Sequence, residues 1–336
     1  MIRAEEAEAV SDASEVATAR RAALQHANAL QLSATATARA GLVATELATN
    51  LVKHGDGGTI LFATDDAKPQ SLTLIAIDRG RGIANVVAAK QDGFSTAGSP
   101  GTGLGAMDRA TTSTEIFTLP DRGTAVVCTI EDEVSRPSVI NPRPRISVAG
   151  VALPKHGEEA NGDAWAAVAT RDFMTVAVVD GLGHGPQAAT AASEAIRVIR
   201  ARAEQSLEDL LRDAHAALRS TRGAALSIAR IHSSANRLDF IGIGNVAGTI
   251  VTDDTVRKTV SLPGIVGHEM RKLQTFSYPW SASSVLVMQS DGVSANWNHL
   301  SSPGLFQHGP AMIAAVLYRD HTRGSDDATV VVAKGS

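Results

Sequence analysis

The chain has 336 residues, 44% of them hydrophobic and 20% charged, with a formal net charge of −4. That length holds two ordinary domains with separate cores, and the composition is globular rather than disordered. A mildly acidic chain with 4% aromatic residues and no basic stripe offers nucleic acid neither an electrostatic footprint nor stacking platforms.

The opening MIRAEEAEAV lacks the basic and apolar regions of a secretory signal, and no apolar run approaches the roughly 20 residues of a membrane span. The expectation is a cytoplasmic protein with no membrane partner. Ala34 to Lys53 follows as a helix, with Val43, Leu47 and Leu51 on one face. GTILFAT and SLTLIAID read as strands, the second ending at Asp78. A short helical segment and the Gly-rich GFSTAGSPGTGLGAMDRA come next, and GTAVVCTI closes this half as another strand. Helices interleaved with hairpin-connected strands predict an α/β (α+β) sandwich, a mixed sheet with helices on one face. Cys128, the single cysteine, excludes internal disulfides and cysteine-paired zinc sites, and reads as a buried small hydrophobe.

EDEVSRPSVINPRPR, from Glu131 to Arg145, combines charge with three prolines and lacks apolar periodicity. It reads as a linker, predicting domains at 1–132 and 145–336 joined by 133–144. In the second half ISVAGVAL, FMTVAVVD, AALSIARI, RLDFIGIG, SVLVMQSD and DATVVVAK are strand candidates. Helical runs over Pro186 to Glu204 and Ser206 to Ser220 lie after the second of these. Many strands with paired helices suggest two packed sheets flanked by helices.

Two groups of residues carry chemistry. Glu46 and Asn50, spaced i, i+4, share a helix face. Asn50 can supply an amide oxygen to Mg²⁺, which favours oxygen ligands and substrate phosphates. Glu46 can accept or position a hydroxyl proton. Asp78, in DRGRG with Gly80 and Gly82, ends a strand where the backbone can approach a flat ligand and a carboxylate can accept from an adenine amino group. Gly101, Gly103 and Gly105 in GTGLG precede a short helix whose N-terminus favours phosphate. No GxGxxG follows the first strand and no GK[ST] occurs, against a Rossmann or P-loop reading; protein-kinase motifs are also missing.

The order ELATN, DRGRG, GTGLG resembles the N, G1 and G2 boxes of the GHKL ATPase superfamily, and within it the anti-sigma-factor serine kinases, over roughly residues 10 to 131. The resemblance implies ATP with Mg²⁺ on Asn50, Glu46 as catalytic base, Asp78 on adenine, and the five glycines shaping the pocket. Some relatives of this kind bind ATP to hold a partner without phosphorylating it.

In the second half Asp163, Asp180, Asp291 and Asp326 fall at strand ends or turns, in GDAW, DGLGHG, SDG and DDATVVV. Convergence of such carboxylates without a cation would raise their pKa values sharply. Two Mg²⁺ or Mn²⁺ ions would resolve the repulsion, bind phosphate and activate water. Any single Asp-Gly pair is also an ordinary turn. Together the motifs resemble the sporulation-type branch of the type 2C metal-dependent protein phosphatases, over about residues 145 to 335. That likeness implies an αββα sandwich in which Asp180 bridges two metals, the Gly181 carbonyl binds one, and Asp291 and Asp326 hold the other. Asp163 fits the first acidic motif, with direct or water-mediated contact both open. His184 has two readings, general acid or turn residue, and the adjacent Asp327 leaves the last ligand open by one position.

Opposed phosphoryl-transfer domains on one chain imply control of one phosphorylation state. The relatives' targets are serine or threonine residues on STAS-domain antagonist or scaffold proteins, with an anti-sigma factor or another downstream regulator as a further candidate partner. A bifunctional kinase and phosphatase is the leading expectation; the alternative is a phosphatase with a nucleotide-gated partner-binding module.

Overall fold

The structure, a computed structural model, describes residues 1–86, 103–132, 146–252 and 255–335. The chain divides into two compact units, Met1–Asn141 and Pro142–Ser336. No helix among the described residues is long and apolar enough to cross a membrane.

The first unit contains β1 (Ile2–Val10), α1 (Ala13–Ala29), α2 (Ala34–His54), β2 (Gly58–Asp65) and β3 (Lys68–Ile77), then α3 (Gly103–Ala110), β4 (Ser113–Thr118) and β5 (Thr124–Glu131). Asp12 starts α1 with a capping box closed by Glu15, and Ser33 caps α2 through its hydroxyl. Every described pairing of its sheet, in the order β1-β2-β3-β5-β4, is antiparallel. The buried stripe of α2 repeats at helical spacing through Ala36, Ala40, Val43, Leu47 and Leu51. Ala19, Ala23 and Ala27 of α1 are fully buried beside it, small side chains that let the two helices approach closely. Both helices cover Ile60, Phe62, Leu72, Leu74, Val126 and Ile130, and Cys128 lies inside this core as a free thiol.

β1 and α1 had no counterpart among the expected elements. The alternation in IRAEEAEAV that marks β1 is diluted by adjacent glutamates, and a register shift falls between Ala4 and Glu6.

The second unit contains β6 (Ile146–Leu153), β7 (Asp163–Ala169), β8 (Met174–Gly181), α4 (Pro186–Ala201), α5 (Leu207–Ala217), β9 (Ala224–His232) and β10 (Arg237–Ile243). β11 (Ala247–Val251), β12 (Val256–Lys258), β13 (Phe276–Pro279), β14 (Val285–Gln289), α6 (Pro310–His321) and β15 (Ala328–Gly335) complete it. Within the unit the strands form two antiparallel sets, β12-β11-β14-β15-β6 and β13-β10-β9-β8-β7. Helices α4 and α5 pack on the second set, and α6 packs on β6 and β15 of the first. The result is an αββα sandwich. β8 is apolar without alternation, from Val176 to Val179, because one face meets the helices and the other the opposing sheet.

Phe240, fully buried on β10, is among the largest core side chains of this unit. Phe240→Ala should cost about 3–5 kcal/mol. Trp165, Trp280 and Trp297 all lie in the second unit, so urea unfolding followed by tryptophan fluorescence reads this loss directly.

Candidate functional site

In the first unit the three motifs gather around α2. Glu46 and Asn50 are half-buried, one turn apart on this helix. The Cβ of any other residue at 80 would lie 2.4 Å from the His54 carbonyl, so the DRGRG turn runs directly against the C-terminal end of α2, one turn beyond Asn50. Gly82 has φ +74°, and a Cβ there would meet the Leu119 carbonyl at 2.4 Å. Asp78 Oδ1 accepts from the backbone N–H groups of Gly80, at 2.9 Å, and Thr124, at 3.0 Å. The carboxylate is thereby fixed at the junction of β3 and β5. Burial, reinforced by Arg81 and Lys53, holds the His54 imidazole below its usual pKa. Gly103 opens α3 and Gly105 follows in its first turn, and α3 packs on α2. Gly101 lies outside the described residues.

In the second unit the strand ends bring the acidic residues together. Asp163 begins β7 and is the register partner of Asp180 near the end of β8. Asp291 follows β14 and Asp326 precedes β15, and these two strands are neighbours. One hydrogen bond ties the strand pairs: Ser290 Oγ donates to Asp163 Oδ2 at 2.6 Å while accepting from the Thr329 N–H at 3.0 Å. Gly181 is packed so closely that a Cβ would stand 2.3 Å from the Ala188 carbonyl.

The electrostatics follow from that convergence. Burial, with Asp180 and Asp327 nearby, pushes the Asp163 carboxyl well above the usual carboxylate range, against the opposing hydrogen bonds of Ser290 and Thr329. Asp180 is pushed up to about 7 by burial and then by Asp291, Asp326 and Asp327, despite a backbone hydrogen bond from Asp291. Asp291 is raised by burial and by Asp326, opposed by Arg323 and by Asn245, whose Nδ2 donates to its Oδ2 at 2.6 Å.

Asp180 Oδ2 is buried without a hydrogen-bond partner. A buried oxygen with no donor, surrounded by like charges, fits a hard divalent cation, which supplies the missing electrostatic partner. Among the described residues no three carboxylate, imidazole or thiol groups are drawn in to metal-ligand spacing. Asp163, Asp291 and Asp327 each accept a separate hydrogen bond. The two residues of the last acidic motif differ in setting. Asp327 is buried and accepts from the N–H groups of Lys155, at 2.8 Å, and Gly162, at 2.9 Å. Asp326 is half-buried, accepts from the Asp327 N–H at 2.9 Å, and raises both Asp180 and Asp291. His184 is exposed, its Nδ1 2.8 Å from Glu158 Oε1.

Ser290, Asn245 and Glu158 escaped the sequence reading. Ser290 adjoins the SDG signal, but its hydroxyl points to a residue 127 positions away. Asn245 stands in a turn after β10, a setting in which asparagine is ordinary.

Residues 171–335 match the family model described as stage II sporulation protein E (SpoIIE). Residues 9–138 match the model described as a histidine kinase-like ATPase domain. The two matches fall one in each half of the chain, a histidine kinase-like ATPase domain first and a SpoIIE domain second. Among characterised proteins it is similar to the phosphoserine phosphatase RsbX of Bacillus subtilis (strain 168), 24% identical over 144 residues, which cover 42% of this chain and 72% of the relative. A solved chain described under the bacterial stressosome, a modular system adapted to control secondary messenger signalling, matches with TM-score 0.54 and 25% identity over 57% of this chain and 100% of its own. RsbX in complex with magnesium shares the fold at TM-score 0.51 and 21% identity, over 58% of this chain and 98% of that one.

The raised carboxylates fix the sign of a pH effect. Folding lifts the Asp180 pKa from about 3.8 to about 7, so between those values the folded chain holds the extra proton. Without metal, stability should fall as pH rises through that window. Thermal melting from pH 5 to 8 should show this decline in metal-free protein, a shallower one in Asp180→Asn, and recovery of wild type at pH 8 with Mn²⁺.

Proposed function

We propose that this chain is a bifunctional partner switch. Residues 145–336 remove phosphate from serine or threonine on a STAS-domain antagonist or scaffold protein, and residues 1–132, beyond a linker at 133–144, bind Mg-ATP and phosphorylate the same class of partner. The observation that carries the phosphatase half is the buried, unpartnered Asp180 Oδ2 at the centre of a strand-end carboxylate cluster in a SpoIIE domain.

In this reading Asp180, the Gly181 carbonyl, Asp291 and Asp326 would hold two Mn²⁺ or Mg²⁺ ions. When bound, such a pair binds a phosphoryl group and lowers the pKa of water near neutrality. The residues of the chain do the positioning. Asn245 fixes Asp291 by its side-chain amide, and Ser290 fixes Asp163 at the back of the cluster. Asp327, engaged by two backbone amides, holds the loop before β7, which supports Asp326 as the last ligand. Asp163 acts on Asp180 from its register position.

For the first unit, the gathering of Asn50, Glu46 and Asp78 at one end of α2 supports ATP binding, with Asn50 toward Mg²⁺, Glu46 toward the accepting hydroxyl and Asp78 toward adenine. Gly80, Gly82, Gly101, Gly103 and Gly105 complete the pocket in this reading. Similarity to RsbX and to a stressosome chain supports partner switching as the setting.

Phosphatase activity on a phosphoserine protein should require Mn²⁺ or Mg²⁺, vanish on chelation and resist thiol reagents, since Cys128 is buried in the other unit. Asp180→Asn should lose more than the roughly 10- to 100-fold typical when a metal ligand loses its supporting hydrogen bond. Activity that survives chelator would overturn the mechanism.

For the first unit, Asn50→Ala should weaken Mg-ATP binding by calorimetry, while Glu46→Gln spares binding and slows transfer. Given ATP and a bound STAS partner, the Asp180→Asn chain should accumulate phosphoserine or phosphothreonine, read by mass spectrometry. If it accumulates none, the first unit is a nucleotide-gated binding module.

A further inference from the structure

The carboxylate cluster can attract cations but cannot by itself recognise a phosphomonoester, whose charge has the same sign. Resting on the phosphatase reading, we propose that Arg222 is the residue that grips the phosphoryl group of a phosphorylated protein segment, and that the segment lies in the cleft between α4 and the turn before β9.

Three observations place it there. First, register carries Arg222 to the site. Gly181 pairs with Ala224, and the Leu182 N–H donates to the Gly223 carbonyl at 3.0 Å, so Arg222 stands opposite the loop that follows Asp180. Second, that loop makes room for the guanidinium. Gly183 has φ +86°, and a Cβ there would come within 2.9 Å of Arg222 Nη1. The fork of donors therefore lies directly over the glycine loop, three residues beyond Asp180.

Third, the guanidinium is uncommitted. Arg197, Arg202, Arg212 and Arg237 of the same unit are each paired with a carboxylate, whereas Arg222 is exposed and forms no ion pair among the described residues. Arg323, the other nearby cation, already offsets Asp291.

The space beside Arg222 suits a peptide. A cleft of about 670 Å³ opens between the two segments that carry Gly183 and Arg222, lined on one side by Pro186 and Ala189 and on the other by Ala217, Ser220 and Thr221, with Ala160 from the loop that Asp327 holds. Apart from the Glu194–Arg197 ion pair, its lining is small side chains and hydroxyls, which leave an extended backbone room and hydrogen-bond partners. Arginine suits the phosphate end, because its planar fork binds phosphate oxygens by paired charge-assisted hydrogen bonds.

The test uses the full chain with Mn²⁺, a phosphoserine peptide of about ten residues, and inorganic phosphate as competing product. A charged hydrogen bond is worth about 1.5–3 kcal/mol, or roughly 10- to 100-fold. Arg222→Ala should raise KM for the peptide and the inhibition constant of phosphate by that factor, with Arg222→Lys intermediate and Mn²⁺ affinity by calorimetry unchanged. Wild-type activity with unaltered KM and phosphate inhibition in Arg222→Ala would overturn the assignment. So would weakened Mn²⁺ binding in both variants, which would make Arg222 a support of the metal site. If wild type has no phosphatase activity, the underlying reading fails instead.

Discussion

Like charges at the ends of neighbouring strands dominate the second unit. Asp163, Asp180, Asp291 and Asp326 come from β7, β8 and the turns beside β14 and β15, so the sandwich that buries its core also forces these carboxylates toward one end. The cost is visible in the raised Asp180, at about 7, and in its unpartnered oxygen. No rearrangement of surface side chains can relieve it, because the carboxylates hang from paired strands whose register is set by apolar packing. Protonation relieves it at low pH, and a divalent cation relieves it near neutrality.

The neighbouring hydrogen bonds sort the acidic residues by what each is still able to do. Asp327 is consumed by the amides of Lys155 and Gly162, and Asp163 is anchored by Ser290. Asp180 keeps an oxygen with no donor, and Asp326 accepts only from its neighbour's amide among the contacts described. A site of this kind separates structural from chemical carboxylates by backbone geometry rather than by residue type.

The first unit solves a different problem, that of holding a turn flat against a helix end. Asp78 does so with one oxygen on two amides, and glycine at 80 lets the chain touch the His54 carbonyl. That closeness brings Asn50 and Asp78 to the same end of α2, although they are 28 positions apart in the chain.

The sequence by itself determined the elements whose signal is local. The helical stripe of α2 is legible because burial repeats at the helical period, and β8, β9 and β15 because each is a short, continuously buried run rich in apolar residues. The motifs ELATN, DRGRG, GDAW, DGLGHG, SDG and DDATVVV could be read for the same reason, since turn glycines and carboxylates sit beside each other in the chain. Less regular segments were not legible: β1 is interrupted by glutamates, and β12 and β13 are three and four residues long. Only the tertiary structure decided that Ser290 serves Asp163, that Asn245 serves Asp291, and that the amides of the loop before β7 fall on Asp327 rather than on Asp326. Each of those contacts joins residues far apart in sequence, and even the choice between adjacent aspartates depends on a loop 165 positions away. Hydrogen bonds of that kind leave no periodic trace, because their partners are set by strand order and register.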